Sequence, residues 1–212
     1  MSKAPRFITL EGGDGSGKST QIKRLAAELK SRKIDAVVTR EPGGSPGAED
    51  IRALVLNGDP ERWDSLTEAL LMFAARADHV AHTIKPALAR KQWVICDRFT
   101  DSTYAYQGAG HGLARETIRR MEALVLGDFR PDLTLILDIP VEQGLARTDA
   151  ARRSRDMRFE AFDKNFHERM RQCYLAIARK DPMRCEVIDA SQDEDAVAKE
   201  IWRTVKKRYK LK

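Results

Sequence analysis

A glycine-rich segment near the start of the chain constrains the fold more than any other feature. It lies between the apolar run 7–10 and residues 18–30, where apolar side chains recur at helical spacing. The segment satisfies the G-x-x-x-x-G-K-[ST] pattern between a predicted strand and a predicted helix, which is the context this pattern needs. It reads Gly12, Gly13, Asp14, Gly15, Ser16, Gly17, Lys18, Ser19, followed by Thr20. The sequence therefore predicts a phosphate-binding loop.

The residue types of this loop indicate its ligands. Glycines permit positive φ, so that backbone N–H groups converge on phosphate oxygens. The helix that begins near Lys18 adds the positive end of its dipole. We expect residues 12–20 to bind ATP, with Lys18 on the β- and γ-phosphates and the Ser19 hydroxyl on Mg²⁺. The loop alone does not separate a kinase from a GTPase or a nucleic-acid ATPase.

Short apolar runs alternate with longer amphipathic ones along the rest of the chain. Further strands are predicted over residues 36–39, 93–96, 133–137 and 186–188, and helices over 49–56, 65–89, 115–126, 159–179 and 193–208. Residues 42–47 read as a long turn. This alternation predicts an α/β fold with a five-stranded parallel sheet flanked by helices, in a single domain over residues 1–212. Such sheets bind ligands at the carboxyl ends of their strands.

Composition limits the class of protein. Hydrophobic residues make up 42% and charged residues 33% of the chain, a balance typical of folded globular proteins. The apolar runs are far shorter than the roughly 20 residues of a membrane helix. Residues 1–6 lack the apolar core of a signal peptide, and the cysteines lack C-x-x-C spacing. We therefore expect a cytoplasmic protein that has no membrane partner.

The net charge of +6 raises the alternative of a nucleic-acid ATPase, which needs a basic stripe along one face. The charge is instead spread, with concentrations in residues 147–158 and 206–212. A basic tail is typical of a solvated helix end, and the arginine-dense stretch is better explained by ATP phosphates. We expect no nucleic-acid partner. His79 and His82 have the spacing of a zinc pair, but a third ligand is not near them in sequence.

Three more segments carry characteristic patterns of polar residues. They are Thr39-Arg40-Glu41-Pro42-Gly43-Gly44, then Asp97-Arg98-Phe99 followed by Ser102, Thr103 and Ala105-Tyr106-Gln107-Gly108, and, after the arginine-rich segment, Phe159-Glu160 with Phe162 to Tyr174 of the predicted helix. Together with the loop and its Asp14, they resemble the thymidylate kinase family over nearly the whole chain. The resemblance implies a P-loop NTPase fold of the nucleoside monophosphate kinase type, with an arginine-rich lid over about residues 147–158. It implies transfer of the γ-phosphoryl group of ATP directly to dTMP, as a step of dTTP synthesis, and it implies a homodimer.

Arg40 and Arg98 each follow a predicted strand, so their guanidinium groups are expected to converge on one anion near the loop. The resemblance assigns both to the phosphate of the acceptor. The alternative is that they form structural salt bridges with Glu41 and Asp101. Asp97, at the end of an apolar strand, is expected to direct Mg²⁺ together with Ser19, and its alternative role is that of a helix cap.

The acceptor's sugar and base are assigned by resemblance. Asp14 corresponds to the acid that contacts the 3′-hydroxyl, and Arg76 to the arginine that donates to O4 of thymine. The family places an aromatic residue four positions before that arginine. Here Met72 stands four before and Phe73 three before, so either side chain is a candidate to pack on the base, and both are alternatively core residues. Ser102, Thr103 and Gln107 are further candidates for the acceptor site, and Tyr106 for crowding the 2′ position.

The arginine-rich segment contains Arg147, Arg152, Arg153, Arg155 and Arg158. Phosphoryl transfer needs positive charge around the migrating group, and the family's lid supplies it when the loop lacks an arginine. Arg153 and Arg155 are the leading candidates, and the choice between them stays open, as does the alternative of an exposed basic loop. A general base is not required because the acceptor is already an anion. Because Met72 and Phe73 depart from the family's spacing before Arg76, a kinase for another nucleoside monophosphate stays as the second hypothesis.

Overall fold

All the predicted strands are present, and each runs on to include a charged residue at its carboxyl end. The computed structural model describes residues 4–57, 62–151 and 163–211. The strands are β1 (Phe7–Glu11), β2 (Ala36–Arg40), β3 (Trp93–Asp97), β4 (Leu133–Asp138) and β5 (Cys185–Asp189). They form one sheet in the order β2-β3-β1-β4-β5, in which all neighbouring strands are parallel. The predicted five-stranded parallel sheet is confirmed.

Helices connect the strands on both faces of the sheet. Within the described ranges they are α1 (Lys18–Ser31), α2 (Pro46–Leu56), α3 (Ser65–His79), α4 (Lys85–Ala89), α5 (Thr100–Thr103), α6 (Arg115–Leu126), α7 (Val141–Ala151), α8 (Lys164–Lys180) and α9 (Glu194–Tyr209). Two π-helical segments, Val80–Ile84 and Tyr104–Gly110, follow α3 and α5. Among the described residues, no helix combines the length and apolar character needed to cross a membrane.

The helix predicted over residues 65–89 is one continuous run that is interrupted by a π-helical turn. In that turn the backbone N–H of Lys85 donates to the carbonyl of Val80, five residues earlier. The turn stands directly before Pro86, which has no N–H to donate. The turn expected over residues 42–47 is shorter than predicted, because Pro46 occupies the first position of α2, where proline is favoured.

Two helical regions were not predicted. The sequence of residues 100–110 indicates a motif of polar residues but does not predict a helix. In the structure these residues form α5 and a π-helical segment. Helix α7 covers residues 141–151, so Arg147 lies on a helix and not on a lid loop. Gly144 weakens the helical pattern here, yet this glycine is required by a close packing contact described below. Arg152, Arg153, Arg155 and Arg158 lie outside the described residues.

Side chains of the inner strands alternate between two apolar layers, as expected for a sheet that is covered on both faces. Ile8 and Leu10 of β1 face the layer that contains α1 and α9. Phe7 faces the opposite layer, together with Val94 of β3 and the turn that holds Val80. Because both faces of β1 are buried, the first loop after it is anchored on a rigid strand.

A buried ion pair ties α5 to the edge of the sheet. Arg184, just before β5, holds Asp101 through Nη1 and Oδ2 at 2.6 Å and through Nη2 and Oδ1 at 3.1 Å. Nη1 also donates to the hydroxyl of Thr134 on β4 at 2.7 Å. The two charged side chains are only 15% and 9% exposed. Burial raises the cost of leaving either charge without its partner.

We expect Arg184→Met to lower the free energy of unfolding by roughly 3 kcal/mol, because it leaves a buried carboxylate without a counter-charge. Urea unfolding monitored by circular dichroism measures the loss. Arg119→Met is the matched control: Arg119 and Glu116 are 63% and 53% exposed, and their pair is expected to contribute less than about 1 kcal/mol. Equal losses from the two variants would contradict a special role for the buried pair.

Candidate active site

The carboxyl ends of the strands open onto one elongated cleft with a volume of about 920 Å³. Most of the predicted site residues line this cleft: Asp14, Gly15, Ser16, Gly17, Lys18, Ser19, Thr20, Arg40, Met72, Arg76, Asp97, Arg98, Ser102, Thr103, Tyr106 and Gln107. Gly12 and Gly13, the first two residues of the loop, line a smaller cavity instead. Because the strands are parallel, residues that are far apart in sequence meet at this edge of the sheet.

The glycine-rich loop curls around the ammonium group of Lys18. Gly15 and Gly17 adopt left-handed φ values of 71° and 86°, which only glycine adopts without strain. Lys18 Nζ donates to the carbonyl of Gly12 at 3.0 Å and to that of Gly13 at 2.8 Å. Burial, and after it the charge of Arg98, lower the pKa of Lys18 to about 8. The ammonium is thus held at the helix start, where phosphate would be bound.

Helix α7 packs directly against this loop. A Cβ atom added to Gly15 would overlap the backbone carbonyl of Gly144, and a Cβ added to Gly144 would lie 2.7 Å from the carbonyl oxygen of Asp14. The two backbones can approach this closely only because both residues are glycines. The shape of the loop therefore depends on a helix that the sequence reading had placed partly in a lid.

Ser19 and Asp97 meet beside the loop, as oxygen ligands of a magnesium ion would. The Ser19 hydroxyl donates to Asp97 Oδ2 at 3.1 Å. Asp97 Oδ1 is buried and has no hydrogen-bond partner among the described residues. A hydroxyl and a carboxylate with a free oxygen are hard ligands of the kind that Mg²⁺ prefers, so the two residues fit the ion. Asp97 does not take its alternative role as a helix cap. The N-cap residue of the following helix, α5, is Phe99, which makes no side-chain capping bond.

Arg98 stands at the centre of the cleft in a left-handed backbone conformation, with φ of 67°. Its Nη2 donates to Asp14 Oδ1 at 2.7 Å and its Nη1 to the carbonyl of Gly12 at 3.0 Å. The ring of Tyr106 lies under the guanidinium, 4.8 Å from Cζ to the ring centroid. Burial by itself would raise the pKa of Asp14, but the charges of Arg98 and Lys18 hold this pKa below its usual value.

Arg40 reaches the same cleft from β2 and pairs with a carboxylate of α2. Its Nη2 lies 3.1 Å from Glu49 Oε2, and the two side chains are 56% and 41% exposed. The alternative partners named from the sequence were wrong: Glu41 pairs with Arg76, and Asp101 pairs with Arg184. Both Arg40 and Arg98 therefore carry positive charge in the cleft, each beside a carboxylate.

The far end of the cleft is built around Arg76, which is 3% exposed. The rings of Phe73 and Phe99 flank its guanidinium, with 4.8 and 5.2 Å from Cζ to the ring centroids. Met72 lines the cleft, whereas Phe73 is buried behind Arg76 at 2% exposure. Of the two candidates for packing on a base, Met72 is the one that reaches the cleft.

Three buried carboxylates in and around the cleft were not singled out from the sequence as site residues. Glu11 accepts from the hydroxyl of Ser102 at 2.6 Å, Glu68 accepts from Gln107 Nε2 at 2.7 Å, and Glu41 holds Arg76. Burial, and after it the charge of Asp101, raise the pKa of Glu11 to about 8. The available signal is weak: Glu11 and Glu41 are acidic residues directly at strand ends, where a charge needs a partner.

The opposite end of the cleft is lined by Ala190 and Gln192, which follow β5. Arg147 of α7 donates to the carbonyl of Ala190 at 2.8 Å and thus fixes this turn. The cleft thus runs from this turn, over the phosphate-binding loop, to Arg98 and Arg76. A P-loop protein with a second anion-binding region in the same cleft belongs to the class of nucleotide kinases.

Comparisons with known proteins identify the family within this class. A family model described as thymidylate kinase matches residues 10–201. The thymidylate kinase of Caulobacter vibrioides is 55% identical to this chain and covers 97% of it and 98% of its own length. That of Nitrobacter winogradskyi is also 55% identical, over 95% of this chain and 88% of its own length.

A solved structure agrees with this assignment. The crystal structure of thymidylate kinase from Ehrlichia chaffeensis matches with a TM-score of 0.77 at 36% identity, over 95% of this chain and 99% of that one. The chain belongs to the thymidylate kinase family, and the resemblance found in the sequence motifs is confirmed.

We expect Gly144→Ala to raise the KM for ATP about tenfold, because the new methyl group would push the loop backbone at Asp14 out of place. Alanine favours a helix more than glycine does, so α7 itself should not be weakened. Gln143→Ala is the matched control, since it adds alanine at an exposed position of the same helix. Steady-state kinetics with varied ATP measure both variants, and an unchanged KM in Gly144→Ala would contradict the packing argument.

Proposed function

We propose that this chain transfers the γ-phosphoryl group of ATP to dTMP, which forms dTDP and ADP. The observation that carries the proposal is the position of Arg98 and its partners in the same cleft as the phosphate-binding loop. In the transfer, the bond between Pγ and the ADP oxygen breaks, and a bond from Pγ to a phosphate oxygen of dTMP forms. Membership of the thymidylate kinase family supports this acceptor.

The loop and the start of α1 act on ATP. Backbone N–H groups of residues 12–20 and the dipole of α1 bind the triphosphate. Lys18 exchanges its contacts with loop carbonyls for the β- and γ-phosphates. Ser19 and Asp97 would hold Mg²⁺, which neutralises charge on the phosphate oxygens when it is bound. The free buried oxygen of Asp97 supports this role, and Asp97→Asn should then raise the Mg²⁺ concentration needed for half-maximal activity.

Arg98 and Arg40 act on the phosphate of dTMP. A phosphate dianion competes with the carboxylates of Asp14 and Glu49 for the guanidinium N–H groups, and two arginines bind it in forked geometry. Asp14, once released, accepts a hydrogen bond from the 3′-hydroxyl of the sugar. The acceptor oxygen is already ionised, so positioning and charge neutralisation provide the catalysis, and no proton needs to be removed.

The nucleoside of dTMP occupies the far end of the cleft. Arg76 donates to O4 of the base, and Met72 packs on the ring through its polarizable sulfur. Thr103 and Gln107 face the base edge, Ser102 lies beside Arg98, and Tyr106 crowds the 2′ position. The support for these roles is that all six side chains line the cleft beyond the loop.

Arg153 and Arg155 are proposed to bring positive charge to the transferring group. This role rests on the sequence pattern alone, because both residues lie outside the described ranges. One well-placed arginine contributes roughly 10³–10⁵ in rate in related chemistry. Single replacement of each should identify the residue through kcat, whereas an effect confined to the KM for dTMP would argue against a role in the transition state.

We further propose that the chain forms one catalytic domain, works in the cytoplasm, where ATP and Mg²⁺ are supplied, and assembles as a homodimer. Leu54 of α2 and Leu66 and Leu70 of α3 are 44–53% exposed beside the acceptor half of the cleft, and such side chains are typical of an interface between chains. Sedimentation equilibrium distinguishes the 24.0 kDa monomer from a dimer, and cell fractionation tests the location.

The acceptor is tested with a panel of nucleoside monophosphates. With ATP and Mg²⁺, we expect the highest kcat/KM for dTMP, a lower value for dUMP, and values at least about 100-fold lower for CMP and AMP, because a site that hydrogen-bonds a base carbonyl strongly rejects an analogue without it. An assay that couples ADP release to NADH oxidation measures the rates. Equal turnover of CMP or AMP would instead favour a kinase for another monophosphate.

The role of Arg98 is tested by Arg98→Ala. We expect kcat with dTMP to fall about 1,000-fold, because the variant removes a charge that neutralises the transferring group. The KM for ATP should change by less than about threefold, since Lys18 and the loop amides bind the donor. An unchanged kcat would remove Arg98 from the site and with it the observation on which the proposal rests.

A further inference from the structure

The segment Thr39-Arg40-Glu41-Pro42-Gly43-Gly44 forms a hydrogen-bonded chain with helix α3 behind the cleft. Thr39 Oγ1 lies 2.7 Å from His79 Nε2, and His79 Nδ1 lies 2.9 Å from Glu41 Oε1. Both ring nitrogens of the histidine therefore have partners. His79 therefore has a structural role that does not involve zinc, despite its spacing from His82. It is fully buried, at 0% exposure, and connects Thr39 of β2 to Glu41 in the turn after this strand.

The second carboxylate oxygen of Glu41 holds Arg76. Arg76 Nε donates to Glu41 Oε2 at 2.8 Å, Nη1 donates to Thr103 Oγ1 at 3.1 Å, and Nη2 donates to the carbonyl of Phe99 at 3.1 Å. Glu41 and Arg76 are 6% and 3% exposed. In such surroundings the guanidinium needs a counter-charge, and Glu41 is the carboxylate in contact with it.

The contacts leave Arg76 with a defined set of donors. A guanidinium has five N–H groups, and the contacts named above use one on each nitrogen. One N–H on Nη1 and one on Nη2 remain, on a group whose plane is fixed between the rings of Phe73 and Phe99. Because Arg76 lines the cleft, the direction of these donors depends on where Glu41 holds Nε.

The backbone of the segment is shaped to bring it against α3. Gly44 has a left-handed φ of 88°, and a Cβ at this position would overlap Nε2 of His79 and Oγ1 of Thr39. The hydroxyl of Thr83 donates to the carbonyl of Gly44 at 2.6 Å. The glycine thus permits the contact between Thr39 and His79, which shows that the chain of hydrogen bonds is built into the fold of the turn.

We propose that Glu41 is a positioning residue for base selection. It fixes Arg76 and is itself supported by His79 and Thr39. The preference for a base with a carbonyl at ring position 4, over a base with an amine there, then depends on this buried carboxylate. The inference rests on the proposed function, in which Arg76 donates to the base. An arginine that is free to turn could also offer its donors elsewhere, and discrimination between a carbonyl and an amine would fall.

Glu41→Gln tests the proposal, because the amide has no charge and offers one acceptor atom to two nitrogen partners. Kinetics with dTMP and dCMP should show the KM for dTMP raised about tenfold and the ratio of kcat/KM for dTMP over dCMP lowered about tenfold. kcat with dTMP and the KM for ATP should stay within about threefold. Asp132→Asn is the matched control, a carboxylate that binds the N–H of Phe7 at 2.7 Å, at the opposite edge of the sheet.

A double-mutant cycle separates positioning from a general loss of stability. In an Arg76→Met background, Glu41→Gln should change the dTMP to dCMP ratio no further, because the group it positions is gone. Thr39→Val provides a second, milder variant, which should shift the ratio in the same direction by about two- to threefold if Glu41→Gln does not fold.

Three results would overturn the proposal: an unchanged ratio in both Glu41→Gln and Thr39→Val, an equal change in Asp132→Asn, or additive effects of Glu41→Gln and Arg76→Met. The wild-type panel is measured first. Absence of dTMP phosphorylation there would contradict the proposed function itself, whereas normal wild-type activity with an unchanged ratio in the variants would contradict only the role of Glu41.

Discussion

Crowded positive charge is the constraint on which this cleft depends. Lys18, Arg40, Arg76 and Arg98 line one cavity, and like charges at such distances disfavour one another. The effect is visible at Lys18, whose pKa is lowered to about 8 by burial and then by the charge of Arg98. The fold holds these side chains together by giving each of them hydrogen-bond acceptors. The cleft is therefore arranged for anions before any nucleotide is present.

The acceptors differ in exposure, and exposure decides which of them a phosphate can replace. Arg40 and Glu49 are 56% and 41% exposed, so their pair contributes about 0–1 kcal/mol and is readily exchanged. Arg76 and Glu41 are 3% and 4% exposed at the side chain, and separating such a pair leaves an uncompensated buried charge. Under the proposed function, the same type of ion pair thus serves as an exchangeable partner where the phosphate of dTMP would bind and as a permanent support where its base would bind.

The sequence predicted those parts of the fold that depend on local pattern. The apolar runs and the glycine-rich loop defined the sheet and one side of the cleft, because strand and loop geometry follow from residue type at short range. Helix α7 was missed because Gly144 interrupts its pattern, and the reason for the glycine is a contact with the loop 129 positions earlier at Gly15.

The hydrogen-bond and ion-pair partners of the site residues could not be predicted in the same way. The spacing of Met72 and Phe73 relative to Arg76 did not show which of the two side chains would line the cleft, since both positions lie on the same helical face. From the sequence, Glu41 was a member of the segment 39–44 and an alternative salt-bridge partner of the arginines, but spacing along the chain does not define the direction of a side chain that follows the end of β2 at Arg40. Its carboxylate therefore binds Arg76 and His79, 35 and 38 positions away, through contacts that exist only once α3 packs beside β2.

Lys18 and Arg98, which the proposed function assigns to the two phosphates, also share one acceptor atom. The carbonyl oxygen of Gly12 accepts hydrogen bonds from Lys18 Nζ and from Arg98 Nη1, each at 3.0 Å. When a phosphate draws either cation away, this oxygen loses one of its partners and is free to bind the other more strongly. Because Gly12 continues from β1, which is buried on both faces, the oxygen itself is held in place. The two cations that the proposed function assigns to the donor and acceptor phosphates therefore depend on one fixed backbone group.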